Sequence, residues 1–219
     1  EVRDPTRIVE VLNRVIMNAK RASAPAQINI PRDMWTQVVE IDLPAMVEFE
    51  RPSGGDNAIL EAAEMLSSAK NPVILNGAGV VLSAGALEAS KSLAERLDAA
   101  VCVGYQHNDA FPGSHPLFAG PLGYNGSKAA MELIKDADVV LCLGTRLNPF
   151  STLPGYGIDY WPKNAKIIQV DINPDRIGLT KKVSVGIIGD AALVANKILS
   201  KLSETAGDFD RTERKQKIA

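Results

Sequence analysis

Residues 71–85 read NPVILNGAGVVLSAG, and this stretch decides the fold of the chain. Its apolar run, residues 73–75, lies between a proline and a glycine-rich turn. An apolar run this short, with turn residues on both sides, predicts a strand that is buried on both faces of a sheet. Residues 84–97 then have the composition and spacing of a helix. Strand, glycine turn and helix are the opening unit of a doubly wound α/β domain.

The same unit recurs along the chain. Short apolar runs predict strands at residues 73–75, 99–103, 139–143, 166–170 and 183–188. Amphipathic or capped segments between and around them predict helices at residues 57–69, 84–97, 127–135 and 190–202. Apolar spacing predicts one shared face for Ile59, Leu60, Ala63 and Leu66 on the first of these helices, and inward-facing Leu193, Val194 and Ile198 on the last. Strands that alternate with helices are typical of βαβ units. We therefore predict a doubly wound, Rossmann-like parallel sheet of at least five strands, with helices on both faces.

Composition changes mark the ends of this domain. Before it, the sequence predicts an amphipathic helix that ends near Lys20, a short strand at residues 26–30 and an extended segment at residues 38–50. The linker RPSGGD begins at residue 51, and the sequence turns polar after Leu202. We expect a domain over residues 51–205, flanked by segments 1–50 and 206–219. Because one helix and one strand cannot form a core, we expect the chain to be a piece of a longer polypeptide.

Composition and charge argue against several classes of protein. The chain has 24 basic and 26 acidic residues and only 5% aromatic residues. This balance gives no indication of a nucleic-acid partner or of binding to a membrane surface. No apolar stretch reaches the roughly 18 residues of a membrane-spanning helix. Cys102 and Cys142 fall within predicted strands, so we expect buried, reduced thiols in a cytoplasmic protein.

Polar and glycine residues at the ends of the predicted strands are the candidate ligand-binding groups. Gly77 and Gly79 either approach a nucleotide or only form a tight turn. Asp171 either accepts hydrogen bonds from ribose hydroxyls or caps the turn before Pro174. Arg146 pairs either with a phosphate or with an acidic neighbour. The residues alone leave each pair of alternatives open.

Residue spacing gives no support for metal or nucleophilic catalysis. His107 and His115 lack a cysteine or glutamate at metal-ligand spacing. The sequence has no GxSxG motif, no P-loop lysine and no base near either cysteine. Two long connections, residues 104–126 and 145–164, are rich in Gly, Pro and aromatic residues. Loops of this length usually have a function or cover a neighbouring part of the protein.

Several blocks, taken together, resemble the central domain of thiamine-diphosphate-dependent enzymes of the acetohydroxyacid synthase type. They cover residues 61–202 in matching order. The blocks read AKNPVILNGAGVVLSAGALEASKSLAERL (69–97), AFPGSHPLFAGPLGYNG (110–126), ADVVLCLGTRLNP (137–149), AKIIQVDINPDRIG (165–178) and GDAALVANKIL (189–199). Upstream, SAPAQINIPRDMW (23–35) is similar to the end of the family's pyrimidine-binding domain. The resemblance implies that residues 206–219 lead toward a C-terminal domain that binds thiamine diphosphate.

The resemblance also implies which cofactors to expect. Thiamine diphosphate and Mg²⁺ would be held mainly by parts of the enzyme outside these 219 residues, because the family's activating glutamate and its GDG motif are missing here. Gly189-Asp190-Ala191 does not match that motif. The central domain of relatives binds FAD, ADP or nothing. Its implied contacts in this chain are Gly77, Gly79, Gly144, Thr145, Arg146, Asp171 and Asn173. Leu147-Asn148-Pro149 replaces the charged residues that follow in FAD-binding relatives, which counts against FAD.

The activity implied by the resemblance is acetyl transfer. Within the family, the segments around residues 34–44, 104–134 and 144–162 favour an enzyme that cleaves sulfoacetaldehyde, releases sulfite and passes the acetyl group to phosphate. Such an enzyme would have small-molecule substrates and would act as a cytoplasmic homo-oligomer. An acetolactate synthase or a stand-alone nucleotide-binding module is the alternative. We expect these 219 residues to be inactive by themselves.

Overall fold

Six parallel strands form the central sheet of the protein. They are β1 (Pro72–Asn76), β2 (Ala100–Gly104), β3 (Phe118–Leu122), β4 (Val139–Leu143), β5 (Lys166–Asp171) and β6 (Val185–Ile188). Their spatial order is β3-β2-β1-β4-β5-β6, and every pair of neighbours is parallel. The computed structural model describes residues 1–43, 45, 50–203, 206, 216 and 218. The chain divides into two units, Glu1–Glu50 and Arg51–Ala219, and the sheet lies in the second.

Helices cover both faces of the sheet, as the sequence predicts. On one face α2 (Asp56–Ser67), α4 (Ala86–Leu97) and α6 (Ala191–Lys201) pack against alternate strand residues. On the other face lie α5 (Lys128–Lys135) and part of the long connection after β4, through Leu147 and Tyr160. A loop therefore provides part of the layer that a helix provides in a regular doubly wound fold. Because β1, β2 and β4 are buried along their whole length, their sequences are apolar without alternation.

The predicted strands are confirmed with small shifts at their ends, but one strand and one helix were missed. β3 lies inside the connection 104–126 that the sequence predicts as a loop, and its residues read FAGPL. Gly120 and Pro121 weaken the strand signal, and both are tolerated because β3 is at the edge of the sheet. The short α3 (Ala78–Leu82) follows β1 directly, where the sequence predicts only a turn.

Two predicted inward-facing residues are wrong. Leu60 on α2 and Leu193 on α6 are 48% and 42% exposed, whereas their neighbours Ile59 and Val194 are buried. Apolar spacing alone placed both leucines on the core face. The other residues of that spacing on α2, Ala63 and Leu66, are buried as expected.

The two cysteines are buried, as predicted. Cys102 on β2 and Cys142 on β4 are both in register with Leu75, which lies between them on β1. Two strand spacings separate them by about 9–10 Å. This distance is greater than the Cα separation that a disulfide can bridge, so the sheet keeps the two thiols apart.

The first unit contains α1 (Ile8–Ala22), preceded by a 3₁₀ turn at Pro5–Arg7. Asp4 caps that turn, because its carboxylate accepts a hydrogen bond from the Thr6 amide at 2.9 Å. The helix ends at Ala22 and is followed by the cap residue Ser23, whose φ of 46° is left-handed. The sequence predicts this helix correctly and places its end two residues too early.

The strand predicted at residues 26–30 does not form, and this prediction is wrong. The Val2 amide donates to the Asn29 carbonyl at 2.8 Å, which is a single contact and not a ladder. No strand is present among the described residues of the first unit to pair with this segment. Residues 44 and 46–49 of the predicted extended segment, and most of the tail 206–219, lie outside the described residues.

Candidate functional site

The seven predicted site residues meet at one edge of the sheet. Gly77 and Gly79 follow β1, Gly144 to Arg146 follow β4, and Asp171 to Asn173 end and follow β5. These three strands are neighbours, so their carboxyl ends lie side by side. After β1 the chain continues to β2 on one side, and after β4 it continues to β5 on the other side. Ligands of doubly wound sheets bind at such a switch point. We call this region the switch-point crevice.

The glycines of the crevice are packed against one another. The Gly79 amide donates to the Gly144 carbonyl at 2.8 Å, and the Gly77 amide donates to Leu143 at 3.0 Å. A Cβ on Gly79 would lie 2.6 Å from the Gly144 Cα, and one on Gly77 would lie 2.5 Å from the Thr145 Cβ. Packing of the two turns therefore requires glycine at positions 77 and 79, whether or not a ligand binds there. A role for them in nucleotide binding stays a prediction.

Asp171 is a buried carboxylate at the end of β5. Its Oδ1 accepts a hydrogen bond from the Asn173 amide at 2.8 Å and lies 3.9 Å from the Arg176 Nη1. Burial raises the pKa of Asp171, and the Asn173 amide and the charges of Arg176 and Arg146 partly offset that effect. Asp171 thus caps the turn before Pro174, which is one of the two roles that the sequence left open. Arg146 is exposed at the mouth of the crevice.

The Asn173 side chain is also used locally. Its Oδ1 accepts a hydrogen bond from the Asp175 amide at 3.0 Å, which caps the 3₁₀ turn Pro174–Arg176. The side chain of Thr145 accepts from the Leu147 amide at 3.2 Å. These contacts shape the two loops that border the crevice.

Gln169 is a structural residue of the crevice that the sequence analysis did not identify. Its Nε2 donates to the carbonyls of Thr145 and Arg176, both at 3.1 Å. Its Oε1 accepts from the Gly178 amide at 2.9 Å. The buried amide therefore joins the loop after β4 to the loop after β5. A single Gln inside the apolar strand KIIQVD was the available signal, because a buried polar side chain needs partners.

A concave feature lies beside β3. A cavity of about 300 Å³ is bordered by residues 123–126, residues 153–156 and Met131. The Tyr124 amide donates to the Phe150 carbonyl at 2.8 Å, and the Tyr156 hydroxyl donates to the Gly126 carbonyl at 3.1 Å. The two long connections therefore contact each other here. That they cover another part of the protein stays a prediction.

Tyr160 belongs to the apolar cluster that includes Met131 of the cavity wall. Its hydroxyl is buried and has no hydrogen-bond partner within the part of the chain that the structure describes. Burial raises the pKa of Tyr160 to about 12, and the nearby Gly123 backbone lowers this pKa to a smaller extent. The phenol therefore stays protonated at neutral pH.

Comparison with known proteins identifies the family. The family model "Thiamine pyrophosphate enzyme, central domain" matches residues 59–198. The chain belongs to this family. The match begins within α2, covers the whole sheet and ends within α6, and it does not include the first unit.

The relatives of the chain are much longer than the chain itself. It is 76% identical over all 219 residues to a protein of Roseovarius nubinhibens named sulfoacetaldehyde acetyltransferase, and it covers 36% of that protein's length. A protein of the same name from Rhodobacter capsulatus is 68% identical and is covered to 37%. A probable acetolactate synthase large subunit of Methanocaldococcus jannaschii is 32% identical over 92% of the chain and is covered to 35%. The chain thus spans about a third of the length of these relatives.

A solved structure confirms the fold. The crystal structure of benzoylformate decarboxylase from Polynucleobacter necessarius superposes with a TM-score of 0.75 at 24% identity. The superposition covers 92% of this chain and 38% of that one. At this level of identity the likeness concerns the fold alone.

No group of three His, Cys, Asp or Glu side chains among the described residues is arranged to hold a metal ion. Asp190, in Gly189-Asp190-Ala191, accepts hydrogen bonds from the Ser83 hydroxyl at 2.6 Å and from Arg51 at 2.8 Å. It also caps α6 through the amides of Ala192 and Leu193. Its oxygens are therefore occupied within the fold.

No helix in the described part of the chain has the length and apolar character to span a membrane.

Proposed function

We propose that the chain is the central segment of a thiamine-diphosphate-dependent acetyltransferase that converts sulfoacetaldehyde and phosphate to acetyl phosphate and sulfite. The observation that carries this proposal is the 76% identity, over every residue of the chain, to a protein named for that activity. The named acetolactate synthase is much less similar, at 32%. Acetolactate synthesis is therefore the second candidate function.

The proposal assigns a part to each segment. Residues 1–50 are the C-terminal edge of the pyrimidine-binding domain with its linker, residues 51–205 are the central domain, and residues 206–219 lead toward the domain that binds thiamine diphosphate and Mg²⁺. The location of the boundary near Glu50 in the two-unit structure supports the first assignment. Bound thiamine diphosphate would supply the carbon nucleophile of the reaction. The residues of this chain would contribute scaffold and orientation. We also propose a cytoplasmic homo-oligomer, on the family resemblance.

The central domain has a proposed site of its own. We infer that an adenine nucleotide such as ADP, or the ADP part of FAD, would lie across the carboxyl ends of β1, β4 and β5. The buried Asp171 carboxylate and the exposed Arg146 support this location, because an acceptor and a cation both follow from the carboxyl ends of these strands. The packed glycines weigh against close approach of a pyrophosphate to Gly77 and Gly79. The departure at residues 147–149 weighs against FAD.

Substrate choice tests the proposal directly. The full-length protein, supplied with thiamine diphosphate, Mg²⁺ and phosphate, should release sulfite from sulfoacetaldehyde and should form little acetolactate from pyruvate. The opposite preference would assign the protein to the acetolactate synthases. A reaction with neither substrate would refute both candidate functions.

A further inference from the structure

The sequence contains two Asn-Gly pairs, Asn76-Gly77 and Asn125-Gly126. In such a pair the glycine nitrogen can attack the side-chain amide of the asparagine, because glycine has no Cβ to hinder the approach. The reaction replaces the amide by a carboxylate and requires no enzyme. The structure places the two pairs in opposite surroundings, so we expect them to react at very different rates.

Asn76 is held in the core of the protein. It is the last residue of β1 and is fully buried. Its Nδ2 donates to the Ser90 hydroxyl at 2.8 Å and to the Ala110 carbonyl at 2.9 Å, and its Oδ1 accepts from Ser90 at 3.1 Å. The Gly77 amide donates to the Leu143 carbonyl at 3.0 Å. Attack by this nitrogen would therefore require the centre of the sheet to open.

Asn125 lies on a turn at the surface. It is exposed in the loop after β3, and its side chain makes no hydrogen bond with any residue that the structure describes. Its φ of 58° is left-handed. The Gly126 amide donates to the Gly123 carbonyl at 2.8 Å, and this one bond engages the nitrogen that would attack. A surface turn opens far more readily than the strands of a core.

We propose that Asn125 is a site of spontaneous deamidation, whichever reaction the full-length protein catalyses. Hydroxide removes the proton of the Gly126 amide, and the nitrogen attacks the Asn125 Cγ. A bond forms between these two atoms, the Cγ–Nδ2 bond breaks, and the leaving nitrogen takes up a proton and departs as ammonia. Water then adds to either carbonyl of the cyclic succinimide and yields aspartate or isoaspartate. The sum is asparagine plus water giving the acid plus ammonia, with no change of oxidation state.

The two products affect the fold differently. Aspartate adds a negative charge to the wall of the cavity beside β3, which Asn125 borders, and leaves the backbone as it is. Isoaspartate adds a methylene to the main chain before Gly126, where space is lacking, because a Cβ on Gly126 would lie 2.8 Å from the Leu122 carbonyl carbon. The turn must therefore shift, together with the Gly126 carbonyl that accepts from the Tyr156 hydroxyl at 3.1 Å. Isoaspartate thus loosens the contact between the two long connections.

Peptide mapping of the full-length protein, after incubation in water enriched in heavy oxygen, tests the proposal, because hydrolysis of the succinimide introduces the label. We expect label at Asn125 to appear at least about a hundredfold faster than at Asn76, since only the core pair requires the sheet to open. Asn164, exposed on a turn and followed by Ala165, is the matched control without glycine, and it should react more slowly than Asn125. The rate at Asn125 should rise with pH, because attack requires the deprotonated Gly126 nitrogen. Equal rates at Asn125 and at either control would overturn the proposal.

A synthetic peptide of residues 120–131 gives the rate of the same sequence without the fold. If the peptide were fully converted while the protein carried no label at Asn125, the proposal would be refuted, because the turn would then protect the pair as the sheet protects Asn76.

Hydrogen exchange tests the structural consequence. In the isoaspartate form, separated from the unmodified protein by chromatography, residues 153–156 should exchange at least about tenfold faster, because the contact that Tyr156 makes is weakened. Asn125→Asp has the same charge without the added methylene and should exchange like the unmodified protein. Equal exchange in the isoaspartate form and in Asn125→Asp would show that the longer backbone does not loosen the two connections.

Discussion

Gly79 lies against Gly144 where the turn after β1 packs on the turn after β4. Gly79→Ala would place a Cβ 2.6 Å from the Gly144 Cα, a backbone atom that cannot move aside easily. We expect a loss of about 1–3 kcal/mol in the free energy of unfolding, the usual cost of overpacking. Gly55→Ala is the matched control, because its Cβ would have no atom within 4 Å. Urea unfolding of both variants measures the difference, and equal stabilities would show that the two turns do not pack as described.

Asp190 and Asp171 are two buried carboxylates with opposite pKa shifts. Burial acts to raise the pKa of Asp190, but hydrogen bonds from Ser83, from Arg51 and from the α6 amides outweigh it, so the pKa lies below the ordinary 3.8. Such a group stabilises the fold above its unfolded pKa, and the contribution is lost as the pH falls through its folded pKa. For Asp171 burial dominates and raises the pKa above 3.8. Its ionisation therefore costs stability as the pH rises through that folded value.

Replacing each of these aspartates by asparagine should therefore affect the free energy of unfolding differently. At pH 7, Asp190→Asn should lower the free energy of unfolding by about 1–2 kcal/mol, because it removes charge-assisted hydrogen bonds. Its deficit should shrink as the pH falls below 3.8. Asp171→Asn should leave stability unchanged or raise it at pH 7. Urea unfolding at several pH values measures both variants. If both lost stability with the same dependence on pH, the opposite pKa shifts of Asp190 and Asp171 would be contradicted.

Asp171 also tests the proposed nucleotide site. If ADP or FAD binds at the switch-point crevice, Asp171→Ala should weaken binding by about 1–3 kcal/mol, the cost of leaving a buried polar group unpaired. Calorimetry with FAD, ADP and CoA on the wild-type chain and the variant measures it. Absence of heat with all three ligands on the wild-type chain would leave the domain as a scaffold.

At the scale of elements, the loops after β4 and β5 depend on one side chain. Gln169→Leu has nearly the same volume but leaves the carbonyls of Thr145 and Arg176 and the amide of Gly178 without their partner. We expect about 1–3 kcal/mol of destabilisation and faster hydrogen exchange in both loops. Gln106→Leu on the surface is the control. Unchanged exchange in the two loops would show that other contacts hold them together.

The sequence predicted elements where local pattern and burial agree. β4 was predicted at the correct residues, because VVLCL is apolar throughout and buried on both faces. β3 was missed, because FAGPL acquires its strand conformation from pairing with β2. The strand predicted at residues 26–30 does not form, because the segment has the composition of a strand but no neighbouring strand among the described residues with which to pair.

The site could be predicted only in part. Strand ends bring Gly77, Arg146 and Asp171 to one edge in any sheet of this order, so their meeting followed from topology. The contact between Gly79 and Gly144, and the bonds of Gln169, depend on how loops pack in three dimensions. The cavity beside β3 joins two connections that are distant in sequence. Residue spacing carries no information about such contacts.

At the scale of the whole molecule, the described residues include no group of three His, Cys, Asp or Glu side chains arranged to hold a metal ion. Thiamine chemistry needs the reactive carbon of the cofactor held in position and its diphosphate neutralised by a metal. The 219-residue chain spans about a third of the length of the two sulfoacetaldehyde acetyltransferases to which it is similar. We therefore expect the reaction to require the full-length protein.

Formation of acetyl phosphate from sulfoacetaldehyde and phosphate, with thiamine diphosphate and Mg²⁺ present, is the most direct test of this account. The full-length protein should form acetyl phosphate and release sulfite in equal amounts, and the 219-residue chain alone should form none. Acetyl phosphate from the 219-residue chain would show that the catalytic groups lie within it. No product from the full-length protein would contradict the proposed reaction.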